Sequence, residues 1–179
     1  TLLISFYTLL FAFPAPIIFA LMLNEVRHTG FKRVVQTVSY MPHFISMIVV
    51  VSLINDFTGS GGVISSIVTA FGGTPHNYAS DPASFRAVFV ISEIWQEIGF
   101  NSIIFLSALS GVNEELYEAA EIDGAGRIAQ LFHVALPGIA STIIIMLILR
   151  CGALMTVNFE KILLLYSPAT YETADVIQT

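Results

Sequence analysis

From Leu2 to Leu23, and again from Val34 to Ile54, the sequence contains no Asp, Glu, Lys or Arg. A helix needs about 20 mostly apolar residues to cross a hydrocarbon core about 30 Å thick. In lipid the backbone must satisfy its own hydrogen bonds, so runs of this length point to transmembrane helices. Two further stretches qualify. One runs from Ser84 to Leu109 and carries Glu93 and Glu97; the other runs from Leu136 to Val157 and carries Arg150. The expected architecture is an all-α integral membrane protein, a polytopic helix bundle with four complete spans. The tail after Ala174 reads as the start of a fifth. Residues 1–179 are expected to form a single transmembrane domain, cut from a longer membrane protein.

Composition agrees. Hydrophobic types make up 55% of the 179 residues and charged types 11%, against about 25% charged in an average soluble domain. That is too little polar surface to coat a water-soluble globule of this size, whereas lipid covers the flanks of a membrane protein. A net charge of −6 argues against nucleic acid as a partner. Cys151 stands alone, which excludes an internal disulfide.

The connections alternate in charge. Asn24 to Arg33 is short and holds Arg27, Lys32 and Arg33, whereas Asp56 to Ala83 has neither Lys nor Arg and is rich in glycine. The positive-inside rule places the first loop in the cytoplasm. The Asp56–Ala83 loop is then external, Ser110–Ala135 internal and Asn158–Thr173 external. Pro14, Pro16 and Pro42 lie inside the first two spans and are expected to kink them, because a bundle can satisfy the freed carbonyls. Asp81-Pro82 reads as N-cap and first residue of the third span, and Val63–Phe71 as a short surface helix.

The internal loop 110–135 is the informative one. Asn113 can cap a short helix whose first turn holds Glu114 and Glu115, which suits the helix dipole. Leu116, Ala119, Ala120 and Asp123 share one face, and its small middle permits close approach of another backbone. Gly124 can take a positive φ and end the helix. A second short helix, Arg127 to Val134, is expected to lead to Pro137 at the start of the next span. Four glutamates within eight residues also suit a plain solvated loop. The spacing favours more. Glu118-Ala119-Ala120, three residues, Gly124, nine residues, Val134, one residue, then Leu136-Pro137 resembles the EAA loop of binding-protein-dependent ABC importers, with Val134 where that family usually has Ile. Asp123-Gly124-Ala125 matches as well. Trp95-Gln96-Glu97-Ile98-Gly99-Phe100-Asn101, Phe159 to Leu165, and Ala174 to Thr179 are similar to the carbohydrate branch, both maltose-type and polysaccharide-type permeases.

The resemblance implies a coupling helix that docks on a separate ATPase subunit through Glu118, Ala119, Ala120, Asp123 and Gly124, with Leu136 and Pro137 closing the motif. It implies a bacterial plasma membrane location, with two ATPase subunits, a second and non-identical permease, and an extracellular or periplasmic solute-binding protein as partners. Transport of an oligo- or polysaccharide is the implied function. The chain lacks a G-x-x-x-x-G-K-[ST] phosphate loop, so it is expected to be no enzyme and to hold no cofactor; ATP is hydrolysed by the partner. A stand-alone secondary transporter or channel is the alternative, and a membrane enzyme built on Glu93, Glu97 and a histidine is a third reading; neither needs the EAA spacing.

Ionisable groups inside a span usually face the bundle interior. Counting about 1.5 Å per residue puts Glu93 and Arg150 at compatible depths, so they are expected either to pair or to line the solute path. Trp95, Gln96, Glu97 and Asn101 join them as solute-path candidates, because sugar hydroxyls need hydrogen-bond partners and ring faces stack on aromatics. His28, His43, His76 and His133 show no metal-ligand spacing, and no metal is expected.

Overall fold

A computed structural model of the chain describes residues 1–154, 158–165 and 168–174. All regular structure among them is helical. Helix α1 covers Leu2–Glu25, with a π turn at Thr8–Ala12 just ahead of Pro14. Proline has no N–H to offer the carbonyl four residues back. A widened turn absorbs the mismatch without ending the helix. Thr8 adds a side-chain hydrogen bond of 2.9 Å to the Ile4 carbonyl.

The stretch expected as one second span is interrupted. Helix α2, Thr29–Tyr40, passes into a 3-10 turn at Met41–Phe44, and helix α3, Met47–Thr58, starts after an extended Ser46. Pro42 disfavours helical geometry in its predecessor and removes a donor, which is enough to separate two helices that composition alone joins. Helix α4 follows at Val63–Ala70, matching the expected short helix. The segment long and apolar enough to cross a membrane is now Met47–Ala70, 24 residues with mean hydropathy 1.6.

Helix α5 is the longest, Pro82–Ser110. Its cap is as expected: Asp81 Oδ2 accepts from the Ser84 amide at 3.1 Å, with Pro82 first in the helix. Helix α6 is Glu114–Ile122. Helix α7 runs Arg127–Gly138, with a second π turn at Leu131–Ala135 ahead of Pro137. Helix α8, Ala140–Gly152, leaves α7 at a 60° bend centred on Ile139. The fourth expected span therefore begins differently. Leu136 and Pro137 lie at the end of α7, and the break comes two residues later. Val157, its expected end, is outside the described residues. Helices α9, Phe159–Leu165, and α10, Tyr171–Ala174, complete the chain; the expected fifth span falls on 175–179, also outside them.

Among the described residues, three helices are long and apolar enough to cross a membrane, or four if the bent α7–α8 pair is one span. The chain divides into two compact units. The first comprises residues 1–12, 44–96 and the described residues from 153 onward. Its core holds Ile4, Val50, Ile54, Phe85, Phe89 and Ile162, and Ser5 Oγ ties the start of α1 to the Leu154 carbonyl at 2.5 Å. The second comprises residues 13–43 and 97–152, with Ile17, Ala20, Leu21, Phe105, Leu109 and Ile139 at its centre. Large apolar side chains such as Phe6, Leu10, Ile145 and Ile148 are more than half exposed. In lipid this surface is at home, so close packing rather than exclusion of water holds the helices together.

Candidate functional site

The coupling loop is built around α6. Asn113 Oδ1 accepts from the Glu115 amide at 3.1 Å, and Glu114 and Glu115 occupy the positive end of the helix. The other end closes with two bonds, Gly124 N–H to Glu121 O at 3.0 Å and Ala125 N–H to Ala120 O at 2.8 Å. This paired pattern requires a left-handed residue between them, and Gly124 supplies it with φ +79°. Gln130 Nε2 then donates to the Ala125 carbonyl at 3.1 Å, fixing α7 to the turn.

Tyr117 is the inward anchor of α6, packed against the second unit's core. Its hydroxyl oxygen is buried with no hydrogen-bond partner among the described residues. Burial, with the negative charge of Glu25 as a lesser cause, pushes its ionisation above the usual tyrosine range. On the other side Glu118, Ala119, Asp123 and Gly124 are exposed and Ala120 is half-buried. Leu116, Ile122, Ile128 and Phe132 are exposed too, Ile122 at 86%. Sequence reading singled out the small and acidic residues; the apolar rim of Ile122, Ile128 and Phe132 was legible only as three large hydrophobic residues in a loop expected to face water. Leu136 packs on the core and Pro137 is exposed.

The solute-path candidates divide between the two units. In the first, Glu93 meets Lys161, whose Nζ lies 3.5 Å from Glu93 Oε2. Lys161 is thus a cation beside Glu93 that depth counting did not weigh; Arg150 is an exposed residue of the second unit. Gln96 is buried. Trp95 is 44% exposed and borders a cavity of about 400 Å³ with Leu53, Phe57, Ile64 and Ser92.

In the second unit Glu97 meets His43. Both carboxylate oxygens lie near His43 Nδ1, at 3.1 and 3.0 Å, and the imidazole stacks on Phe100 with ring centres 3.8 Å apart and planes 1° from parallel. Nδ1 carries the proton toward the carboxylate, which orients Nε2 away from it. Both side chains are about 30% accessible, so this polar group opens to a surface. It sits at the 3-10 turn after α2. Gly99 enables the approach, since a Cβ there would overlap the backbone carbonyl of Ser39. Asn101, half-buried, lies one turn further along α5. At the sequence level the histidines were weighed for metal ligation and for a membrane enzyme, and His43 was not among the solute-path candidates. Its signal was a titratable ring beside Pro42 in a charge-free run. The arrangement offers a carboxylate, an imidazole and an aromatic face together, a set suited to hydroxyl-rich solutes.

A family model for the binding-protein-dependent transport system inner membrane component matches residues 12–157. Protein LplB of Bacillus subtilis (strain 168) is 44% identical over 180 residues, covering 100% of this chain and 57% of that protein. The polygalacturonan/rhamnogalacturonan transport system permease protein YteP of the same organism is 42% identical, covering 100% and 56%. Among solved structures, a bacterial ABC transporter involved in the import of the acidic polysaccharide alginate superposes with TM-score 0.95 at 44% identity, covering 99% of this chain and 63% of that one. A second, an alginate ABC transporter in complex with an alginate pentasaccharide-bound periplasmic protein, gives TM-score 0.94 at 44% identity, covering 98% and 62%. The chain spans 56–63% of the length of these proteins. It belongs to the binding-protein-dependent transport system inner membrane components, the permeases of ABC importers.

Proposed function

We propose that this chain is the translocating core of a carbohydrate importer, working with two ATPase subunits, a second and non-identical permease and a solute-binding protein. The observation that carries the reading is the α6 turn. A rigidly closed helix end at Gly124 presents Glu118, Ala119 and Asp123 on an exposed face, with an apolar rim beside them. Such a face suits a protein cleft rather than water. ATP is hydrolysed by the partner, and closure of the ATPase pair rocks the two permease subunits of the complex about their interface as rigid bodies. The solute is an oligo- or polysaccharide, and His43, Glu97 and Phe100 are the side chains best suited to meet it, with Trp95, Gln96, Asn101, Glu93 and Arg150 as further path residues. The carbohydrate names of the similar proteins support the solute class.

The decisive experiment reconstitutes the full transporter with Gly124→Val or Glu118→Lys. A left-handed φ at a β-branched residue is strained by about 1–3 kcal/mol, while a Cβ at Gly124 meets no neighbour, so the turn deforms without a clash in the permease itself. Solute-stimulated ATP hydrolysis and uptake are expected to fall sharply with insertion and assembly intact. Normal stimulation and uptake in both variants would reduce the loop to a connector and sink the reading. Uptake by the chain without any ATPase would instead favour a stand-alone transporter.

A further inference from the structure

Arg86 lies one turn into α5, at the end that the Lys/Arg asymmetry places outside the cell. Its Nε is buried and has no hydrogen-bond partner among the described residues. A buried guanidinium donor left unmatched is costly, and a cation within a span is normally answered by an anion. Arg86 as a whole is half-buried; the fully enclosed cation of this unit, Lys161, is answered by Glu93. Arg86 borders a cavity of about 460 Å³ with Tyr7, Phe11, Val90, Ile91 and Ile94. That volume lies in the range of small-ligand sites and accommodates one or two sugar rings. Two aromatics share the lining: Tyr7 and Phe11 are stacked, with ring centres 6.4 Å apart and planes at 17°. Arg86 and Glu93, seven residues apart, fall on one face of α5.

From these observations we infer that Arg86 is a specificity-determining residue that takes the carboxylate of a uronic acid unit, while Tyr7 and Phe11 meet the ring face. Guanidinium and carboxylate fit through two parallel hydrogen bonds, and the largely apolar lining of this half-open groove strengthens the pairing. A neutral hexose has no group that satisfies the charge. The inference rests on the carbohydrate reading above and narrows it to acidic oligosaccharides.

The test uses the complete transporter in proteoliposomes with two probes, tetragalacturonate and the same oligomer with its carboxyls reduced to hydroxymethyl groups. With the wild type, KM for tetragalacturonate is expected to rise with added salt. Arg86→Gln should raise that KM about tenfold or more, the loss of one charge-assisted pair, with kcat and the KM for the reduced oligomer unchanged. Arg86→Lys should fall between. Tyr7→Ala should raise KM for both probes. Equal losses for both probes in Arg86→Gln would show a packing role and overturn the inference, as would no change in either. Phosphatidylglycerol co-purifying with the wild type and lost in Arg86→Gln, with uptake unaltered, would make the cavity a lipid site instead. In each of those cases the wild type still imports an oligosaccharide, so the carbohydrate reading survives. Import of neither probe by the wild type overturns both.

Discussion

Lys161 is completely enclosed, and its ammonium sits 3.5 Å from Glu93 Oε2, 3.4 Å from the Phe89 carbonyl oxygen and 4.8 Å from the centre of the Phe89 ring. Carboxylate, carbonyl and aromatic face together replace the water that the cation has left. The pair joins α9 to α5 in the middle of the first unit's apolar core.

Removing one partner of such a pair leaves an uncompensated charge, at a cost of about 3–5 kcal/mol. Lys161→Met and Glu93→Leu are each expected to lower the midpoint of thermal unfolding in detergent and reduce membrane yield. The double variant should recover most of the loss, because two apolar groups of similar volume need no counter-ion. A double variant as damaged as the sum of the singles would show that the pair does not act as a unit.

Acid should loosen the N-terminal end of α5. Asp81 accepts from the Ser84 hydroxyl at 2.7 Å, and this bond, with contributions from His76 and the amides of Ala83 and Ser84, holds its carboxyl below the usual carboxylate range. A depressed carboxyl contributes stability that is present above its unfolded value, about pH 4, and is lost as pH falls through the lower folded value. Wild type is therefore expected to lose stability relative to Asp81→Asn as pH drops below about 4. Parallel unfolding curves for the two proteins across that window would contradict the assignment.

Orientation is checked by labelling. Cys151 is the sole cysteine of this chain, so labelling uses a cysteine-free background that includes Cys151→Ser. In it, Thr74→Cys should react with an impermeant maleimide on intact cells, and Gly126→Cys only after permeabilisation. Both positions are exposed, and a Cβ at Gly126 meets nothing within 4 Å. The opposite pattern would invert the topology.

What the sequence made legible was whatever depends on near neighbours. The Asn113 cap, the Asp81 cap and the Gly124 turn all came out as expected, because each needs only residues within one or two turns. The breaks around Pro42 and Pro137 were harder. A proline in a bundle can bend a helix, end it or be absorbed by a π turn, and Pro14, Pro42 and Pro137 illustrate different outcomes. Long-range pairing was least legible. Depth along a helix constrains which groups are level but not which helix faces which, so Glu93 was matched to Arg150 while Lys161, 68 positions away by the numbering, went unweighed. Arg86 was overlooked for a similar reason: one cation near a helix end looks like an anchor at the interface until its cavity is seen.

The last prediction concerns the crossing of α2 and α5. At Gly99 a Cβ would overlap the Ser39 carbonyl oxygen and press on its carbon. Both are backbone atoms, and no rotamer change relieves them. Gly99→Ala therefore forces the two helices apart, an overpacking cost of about 1–3 kcal/mol. The same crossing positions His43 against Glu97 one turn away, where the Nδ1 distance to the carboxylate is 3.0 Å. Separation of the helices should lengthen that contact and uncouple the imidazole from Phe100. The expected result is a modest loss of thermal stability and a larger rise in KM for the solute, with ATP hydrolysis in the absence of solute unchanged. Gly61→Ala is the control, since nothing lies within 4 Å of its added carbon. His43→Gln should reproduce the KM effect without the stability loss, because it removes the aromatic nitrogen pair but leaves the backbone crossing alone. Normal KM in both Gly99→Ala and His43→Gln would remove His43 and Glu97 from the solute path and leave them as a packing contact between helices.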